Sequence, residues 1–365
     1  MKNGVLTIDE GGFITDIDSD DEIDRRAGIE FYGGILIPGM VNAHTHLELS
    51  YMKGLIPSGS GMAGFARGMR ASRESVPADE RVKAAEYQDA KMWSEGVSAV
   101  ADICNGATTF AIKKRSPILY HSFVEVYGLT TASADNALLL AAQAHAEGFR
   151  ASVTPHSTYS LNEAAFADAL SGGDPVSIHF MESPEETELY EGKGALAEWY
   201  RESGLRCDFT DGRYCSPAGR IEASVEPGRR MLLVHNTFIS PEDARSLAGR
   251  FGDGLTWVVC PCSNEYITGT LPPVEMLLST GAEVAVGTDS LVSNTSLSLI
   301  EELKALPGLP LETALHMATL AGARALGIDE YGSLEVGKRP GIVLLTGADL
   351  SSMTLTPEAA TRRIV

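Results

Sequence analysis

Residues 38–50 read PGMVNAHTHLELS, which places His44 and His46 two positions apart in a chain with only eight histidines. On a strand, residues i and i+2 face the same side, so the two imidazoles project together. Two imidazoles on one face can grip a transition metal such as Zn, Fe, Ni or Cu. Taken alone, the pair fits two ordinary strand-end histidines equally well. The other histidines separate these readings. His156, His179 and His235 each fall at the end of an apolar, β-branched run, and Asp289 ends another. Five of the eight histidines and one aspartate therefore share one kind of position, which chance does not favour. Three neutral imidazoles and a carboxylate make a divalent-metal site with room for water, and a bound metal brings that water's pKa down to about 7. Glu182, three residues after His179 in HFMES, is placed to reach such a water or a substrate nitrogen. His121, His145 and His316 lie elsewhere and read as packing or surface residues. The five cysteines are an odd, scattered set, read as free thiols; Cys260 and Cys262, spaced C-x-C, read as strand thiols rather than a zinc site.

The elements that must hold these residues recur eight times. Apolar runs begin near residues 34, 97, 118, 151, 175, 231, 255 and 283. Between them lie helical patterns over 78–95, 134–147, 160–170, 183–203 and 240–251. Asp135 reads as an N-cap, Ser160 with Glu163 and Ser183 with Glu186 read as capping boxes, and Pro241 suits a first helical position. Alternating strand and helix predicts a parallel sheet, and near-continuous apolar strands predict burial on both faces. Eight units predict an α/β fold, a closed (β/α)8 TIM barrel whose active site lies at the C-terminal strand ends. A doubly wound sheet is the alternative, but no Gly-x-Gly-x-x-Gly follows a strand. Both chain ends read as short strands and turns. The prediction is a small β-sandwich subdomain from residues 1–36 and 334–365 beside a barrel of residues 37–333.

Composition narrows the function. With 44% hydrophobic residues over 365, there is ample material for a large core. A net charge of −20 argues against nucleic acid and against an anionic membrane surface. No run of 18 apolar residues appears, and the N-terminus turns acidic without an apolar signal core, so a cytoplasmic location is expected.

Several stretches together resemble the amidohydrolase superfamily: PGMVNAHTHLELS, TPHSTYS, HFMESPEE, VHNTF, GTDS and the closing GSLEVGKRPGIVLL. The resemblance spans roughly residues 30 to 345 and points to the metal-dependent aminohydrolase, or deaminase, branch. It implies that His44, His46, His179 and Asp289 hold one metal, Zn or Fe, with Zn preferred. Binuclear relatives carry a carboxylated lysine at the fourth strand end, where this chain has VTPHS. It further implies that His235 orients the attacking water and that Glu182 shuttles a proton to the ring nitrogen. Asp289 would also take a proton from that water. His156 would contact substrate.

Within the branch the motifs look most like a subgroup associated with aminodeoxyfutalosine deamination, a step of menaquinone biosynthesis. A chlorohydrolase, or a guanine, cytosine or S-adenosylhomocysteine-type deaminase, is the alternative. The other substrate-binding candidates are Glu48, Tyr159, Ser290 and Arg67, with Arg70, Glu125 and Asn264 behind them. Relatives carry a further β segment before KNGVLTIDE, so the terminal subdomain is expected to be incomplete or the start misplaced. A small-molecule substrate and a homodimer complete the expectation.

Overall fold

The computed structural model describes residues 3–19, 28–129, 134–210 and 212–365. Three strands open the chain: β1 (Gly4–Ile8), β2 (Ile14–Ser19) and β3 (Ile35–Pro38). Eight more follow: β4 (Met40–Thr45), β5 (Val97–Cys104), β6 (Leu119–Val126), β7 (Arg150–Pro155), β8 (Val176–Phe180), β9 (Met231–His235), β10 (Leu255–Val259) and β11 (Glu283–Val286). Two close it: β12 (Ile342–Asp349) and β13 (Thr354–Arg363). All eight predicted runs form strands, and β4 to β11 pair in parallel in the order of the chain.

The eight strands make two four-stranded parallel sheets, joined into a barrel at two seams. One seam pairs Ser157 with His179, the other Thr45 with Asp289. The amide of His179 donates to the His156 carbonyl at 2.8 Å, and the amides of Thr288 and Asp289 donate to the His44 carbonyl at 2.9 and 3.1 Å. Gly287 makes the second seam feasible: a Cβ there would sit 2.8 Å from the His44 nitrogen, oxygen and Cβ. His44, His156, His179 and Asp289 therefore lie where the barrel closes.

Side-chain alternation on the strands explains the burial. Val41, Ala43, Ala99, Ala101, Ile103, Phe123, Leu232, Val234, Val258 and Ala285 form an apolar cluster separate from the one that receives Met40, Val97, Val100 and Cys104. The first set fills the barrel and the second packs against the helices, so both faces are dry, as parallel sheets require.

The helices are α1 (Gly61–Ser72), α2 (Ala78–Ser94), α3 (Phe110–Arg115), α4 (Asp135–Ala146), α5 (Glu163–Leu170), α6 (Pro184–Tyr190), α7 (Gly194–Glu202), α8 (Pro217–Ser224), α9 (Pro241–Phe251), α10 (Pro261–Thr268), α11 (Val274–Leu278), α12 (Leu299–Lys304), α13 (Leu311–Ala318) and α14 (Leu320–Leu326). Three local expectations need correction. The predicted helix over 183–203 is two, α6 and α7, because Gly192 and Gly194 adopt φ of 73° and 85° between them. Asn162, not Ser160, caps α5 by accepting from the Ala165 amide, which leaves Glu163 at the first helical position. Asp135 is the first residue of α4, and Ala134 occupies the cap. Pro241 does open α9, behind a Ser240 cap that accepts from the Asp243 amide.

The two chain ends meet. β3, β12 and β13 form one antiparallel sheet, and the β1–β2 hairpin hangs from it through Ile14 N–H to the Lys338 carbonyl and Gly337 N–H to the Ile14 carbonyl. This is the extra β subdomain expected beside the barrel. The five cysteines are free; Cys260 sits between β10 and α10 as the helix cap and Cys262 lies within α10, so neither is the strand thiol expected. Among the described residues, no helix is long and apolar enough to cross a membrane.

Candidate metal centre and active site

His44 is the fifth residue of β4, and His46 follows its last. His179 lies in β8, and Asp289 follows β11. Ligand atoms of these four lie within 4.8 Å of one another. His46 Nε2 is 3.3 Å from His179 Nε2 and 3.4 Å from Asp289 Oδ1, and His44 Nε2 is 3.7 Å from the same oxygen. All four residues are at most 7% exposed.

The donor set fits a divalent metal. Both ring nitrogens of His44 are buried without a hydrogen-bond partner, as is His235 Nε2. Burial pushes the His46 and His235 imidazoles down to about 3, and burial with neighbouring imidazoles pushes His179 well below its ordinary value. These rings are therefore neutral and offer lone pairs, the form a metal requires. His179 Nδ1 lies 3.0 Å from the His156 carbonyl, which can only accept, so the proton sits on Nδ1 and Nε2 is free toward the cluster. Asp289 Oδ2 accepts from the Ser263 and Ser293 hydroxyls, both at 2.7 Å, which leaves Oδ1 facing His44 and His46.

Backbone strain concentrates here. Among the described residues, six that are not glycine have positive φ, and four of them are Met181, His235, Asn236 and Asp289 at strand ends around the site. Such conformations cost about 1–3 kcal/mol each and persist where surrounding contacts over-determine them. Asn236 shows one such contact set: its side chain donates to the Leu233 and Val258 carbonyls.

Glu182 lies just past β8, buried, with Oε1 3.7 Å from His235 Nε2. Glu182, His235 and Asp289 form a second cluster of mutually close atoms. Burial, with the Asp289 and Glu186 charges adding, holds the Glu182 carboxyl well above its ordinary value. Such an environment favours the protonated carboxyl, a form able to donate a proton beside a metal site. Glu186 fixes its backbone, accepting from the amides of Met181, Glu182 and Ser183.

A polar wall adjoins His179. Glu48 accepts from the Asn105 amide, Asn105 Nδ2 donates to Glu125, and Arg73 reaches Glu48, Asn105 and the Tyr127 hydroxyl. Glu125 Oε1 is 3.7 Å from His179 Nδ1. His156 stacks on His179 at 4.6 Å between ring centroids and meets Tyr159 edge-on at 5.9 Å. His156, Arg73 and Asn105 are only half-buried and Tyr127 is exposed, so solvent reaches the site from this side. Tyr159 is buried with its hydroxyl toward Met62 of α1. Ser290 is buried beside Asp289 and presents its carbonyl to Ser293. Arg67 and Arg70 lie exposed on α1.

Sequence reasoning missed Arg73, Asn105, Ser263 and Ser293, whereas Glu186 is the capping-box partner of Ser183 that the sequence predicts. Only the serine in LTWVVCPCSN had a signal, since it follows a predicted strand end. Beneath the wall, Lys113 of α3 pairs with Asp102 at 2.6 Å, both side chains fully buried, and Asp102 accepts from the Leu47 amide next to His46.

The amidohydrolase family model matches residues 35–361. The chain belongs to that family. A Helicobacter pylori adenosine deaminase is 28% identical over 325 residues, covering 85% of this chain and 78% of that protein. A 5-methylthioadenosine/S-adenosylhomocysteine deaminase from Desulforudis audaxviator is 27% identical over 347 residues, covering 87% and 74%. In structure, the Helicobacter pylori aminofutalosine deaminase in complex with methylthio-coformycin superposes with a TM-score of 0.82 at 25% identity, covering 96% of this chain and 88% of that one.

Proposed function

We propose that this amidohydrolase is a zinc-dependent deaminase of 6-aminopurine nucleosides, with aminodeoxyfutalosine its first-choice substrate. The observation that carries the reading is Glu182: a buried carboxyl, pushed toward its protonated form, 3.7 Å from His235 Nε2 at the edge of a three-histidine, one-aspartate cluster. His44, His46, His179 and Asp289 would hold the metal, and zinc suits a set of imidazoles with one carboxylate. When bound, the metal supplies a nucleophilic hydroxide at neutral pH and a Lewis acid.

The chain's own residues do the rest. Glu182 donates its proton to the ring nitrogen beside the carbon under attack, which removes charge from the ring as the carbon becomes tetrahedral. Asp289, acting as base, takes the proton released by the nucleophile and passes it to the departing amine, so that ammonia leaves. His235 lies beside Glu182 and stabilises oxygen charge. His156 stacks at the mouth, where an aromatic purine has a face to meet, with Tyr159 bracing it. Glu48 meets sugar hydroxyls, and Ser290 shapes the turn behind. Arg73 and, further out, Arg67 offer cations to an anionic tail. The kinship to deaminases named for adenosine and for 5′-modified adenosines supports this substrate class.

The test is ammonia release by zinc-loaded protein against aminodeoxyfutalosine, adenosine, S-adenosylhomocysteine, methylthioadenosine, guanine and cytosine. Turnover of aminodeoxyfutalosine well above the others supports the full reading, and another amine reacting alone overturns the substrate. Glu182→Gln should bind zinc normally and lose about 10²–10⁴-fold in kcat. An unaffected kcat removes the proton role.

A further inference from the structure

The first turn of α10 begins directly after β10 and hands one side chain to each of two groups at the centre. Ser263 donates to Asp289 Oδ2. Asn264 Nδ2 lies 3.1 Å from His235 Nδ1. Asn264 is fully buried, and its main chain is fixed from both sides: its amide donates to the Cys260 carbonyl, and its carbonyl accepts from the Thr268 hydroxyl. The carboxamide therefore approaches the ring from a rigid helical turn.

We propose that Asn264 is a positioning residue that holds His235 as the tautomer protonated on Nε2. A neutral imidazole has one donor and one acceptor nitrogen, and its neighbours decide which is which. His235 is fully buried, which disfavours the doubly protonated ring. An amide nitrogen can only donate, so with Asn264 Nδ2 facing it, Nδ1 must accept. The other side of the ring agrees independently. Nε2 has no hydrogen-bond partner, and the Asp289 carboxylate, which can only accept, lies within the same cluster. A proton on Nε2 is attracted to that carboxylate, whereas a lone pair there would be repelled by it. Both ends of the ring thus select one tautomer.

The consequence concerns proton traffic and rests on the deaminase reading above. A ring protonated on Nε2 is a hydrogen-bond donor aimed into the site. It can stabilise an oxygen gaining negative charge, but it cannot take a proton at that nitrogen. Proton removal then falls to Asp289, and His235 serves as an electrostatic partner. Asn264 acts through His235 and touches no substrate.

The tautomer can be read without turnover. The zinc-loaded chain, labelled with ¹⁵N-histidine, gives two-bond ¹H–¹⁵N correlations for its eight histidines, and His235 is assigned by its loss in His235→Gln. Wild type should show His235 Nε2 at a protonated shift and Nδ1 at an unprotonated one. Asn264→Asp replaces the donor with an acceptor and should reverse the pattern, with kcat falling about 10–100-fold and KM little changed. Asn264→Ala removes the donor and should give averaged shifts on both nitrogens, which keeps the test open if a buried aspartate prevents folding. A protonated Nδ1 in wild type, or a pattern indifferent to both variants, overturns the proposal. If no amine in the panel reacts while Nε2 reads as protonated, the deaminase reading fails and the tautomer assignment stands.

Discussion

His46 Nε2 and His179 Nε2 meet at 3.3 Å across 133 residues of chain. The His156 carbonyl holds the His179 proton on Nδ1, and burial keeps His46 neutral down to about pH 3. A neutral His46 can offer its Nε2 lone pair, and two imidazole lone pairs that close are stable when a cation lies between them. Metal binding should therefore stabilise the fold by mass action, about 4 kcal/mol at a thousandfold excess over Kd. Thermal unfolding before and after chelation, then with zinc restored, checks this. We expect a lower Tm for the stripped protein, recovery at one zinc per chain, and no zinc-dependent rise in His179→Ala.

The two hydroxyls on Asp289 Oδ2 make a second prediction. With Ser263 and Ser293 both donating to one oxygen, the carboxylate cannot rotate that oxygen toward the metal. Removing both donors frees the rotation and leaves the oxygen buried without partners. The double variant Ser263→Ala/Ser293→Ala should bind zinc about 10–100-fold more weakly, with each single variant retaining most of the affinity. Competition against a chromophoric chelator measures it. Wild-type affinity in the double variant would show that the clamp is idle.

The residues at strand ends were legible because a strand has a period of two and a barrel puts its chemistry at one end. His44, His46, His179, His235 and Asp289 each follow an apolar run, so their convergence could be drawn from the sequence. The polar wall could not. Arg73 arrives from the turn after α1, Asn105 from the turn after β5, and Lys113 reaches back from α3 to Asp102, and none of these repeats at a period that marks a partner. The serines on Asp289 illustrate the same limit. Ser290 is adjacent in sequence, but the hydroxyls come from Ser293 four residues on and from Ser263 in the first turn of α10. The break between α6 and α7 was written in Gly192 and Gly194, yet the continuous helical spacing of apolar residues across them masked it.

The buried pair of Lys113 and Asp102 should prove costly to break. Burial opposes the Lys113 ammonium, but the Asp102 carboxylate beside it holds it above its ordinary range, and Asp102 also receives the Leu47 amide beside His46. Lys113→Met leaves a carboxylate uncompensated in the core, which costs about 3–5 kcal/mol. Urea unfolding should show that loss. Pairing it with Asp102→Leu should recover much of it, since an apolar pair of similar volume suits a dry site. A double variant no better than the single would mean that the Leu47 hydrogen bond, rather than the charge, dominates.

Glu186 links acidity to stability. Burial lifts its carboxyl to about 7, against the pull of three backbone amides that favour the carboxylate. In the unfolded chain the group ionises near its ordinary 4.5. Between these values the folded state holds a proton that the unfolded state has released. Stability from this group is therefore complete below about pH 4.5, declines as pH rises toward 7, and is level above it. Glu186→Gln cannot titrate and still offers one oxygen to the amides. At fixed saturating zinc, its Tm should gain on wild type between pH 4.5 and 7 and run parallel above. A gap that ignores pH would mean that Glu186 keeps an ordinary pKa and that the turn aiming Glu182 is held by a permanent carboxylate.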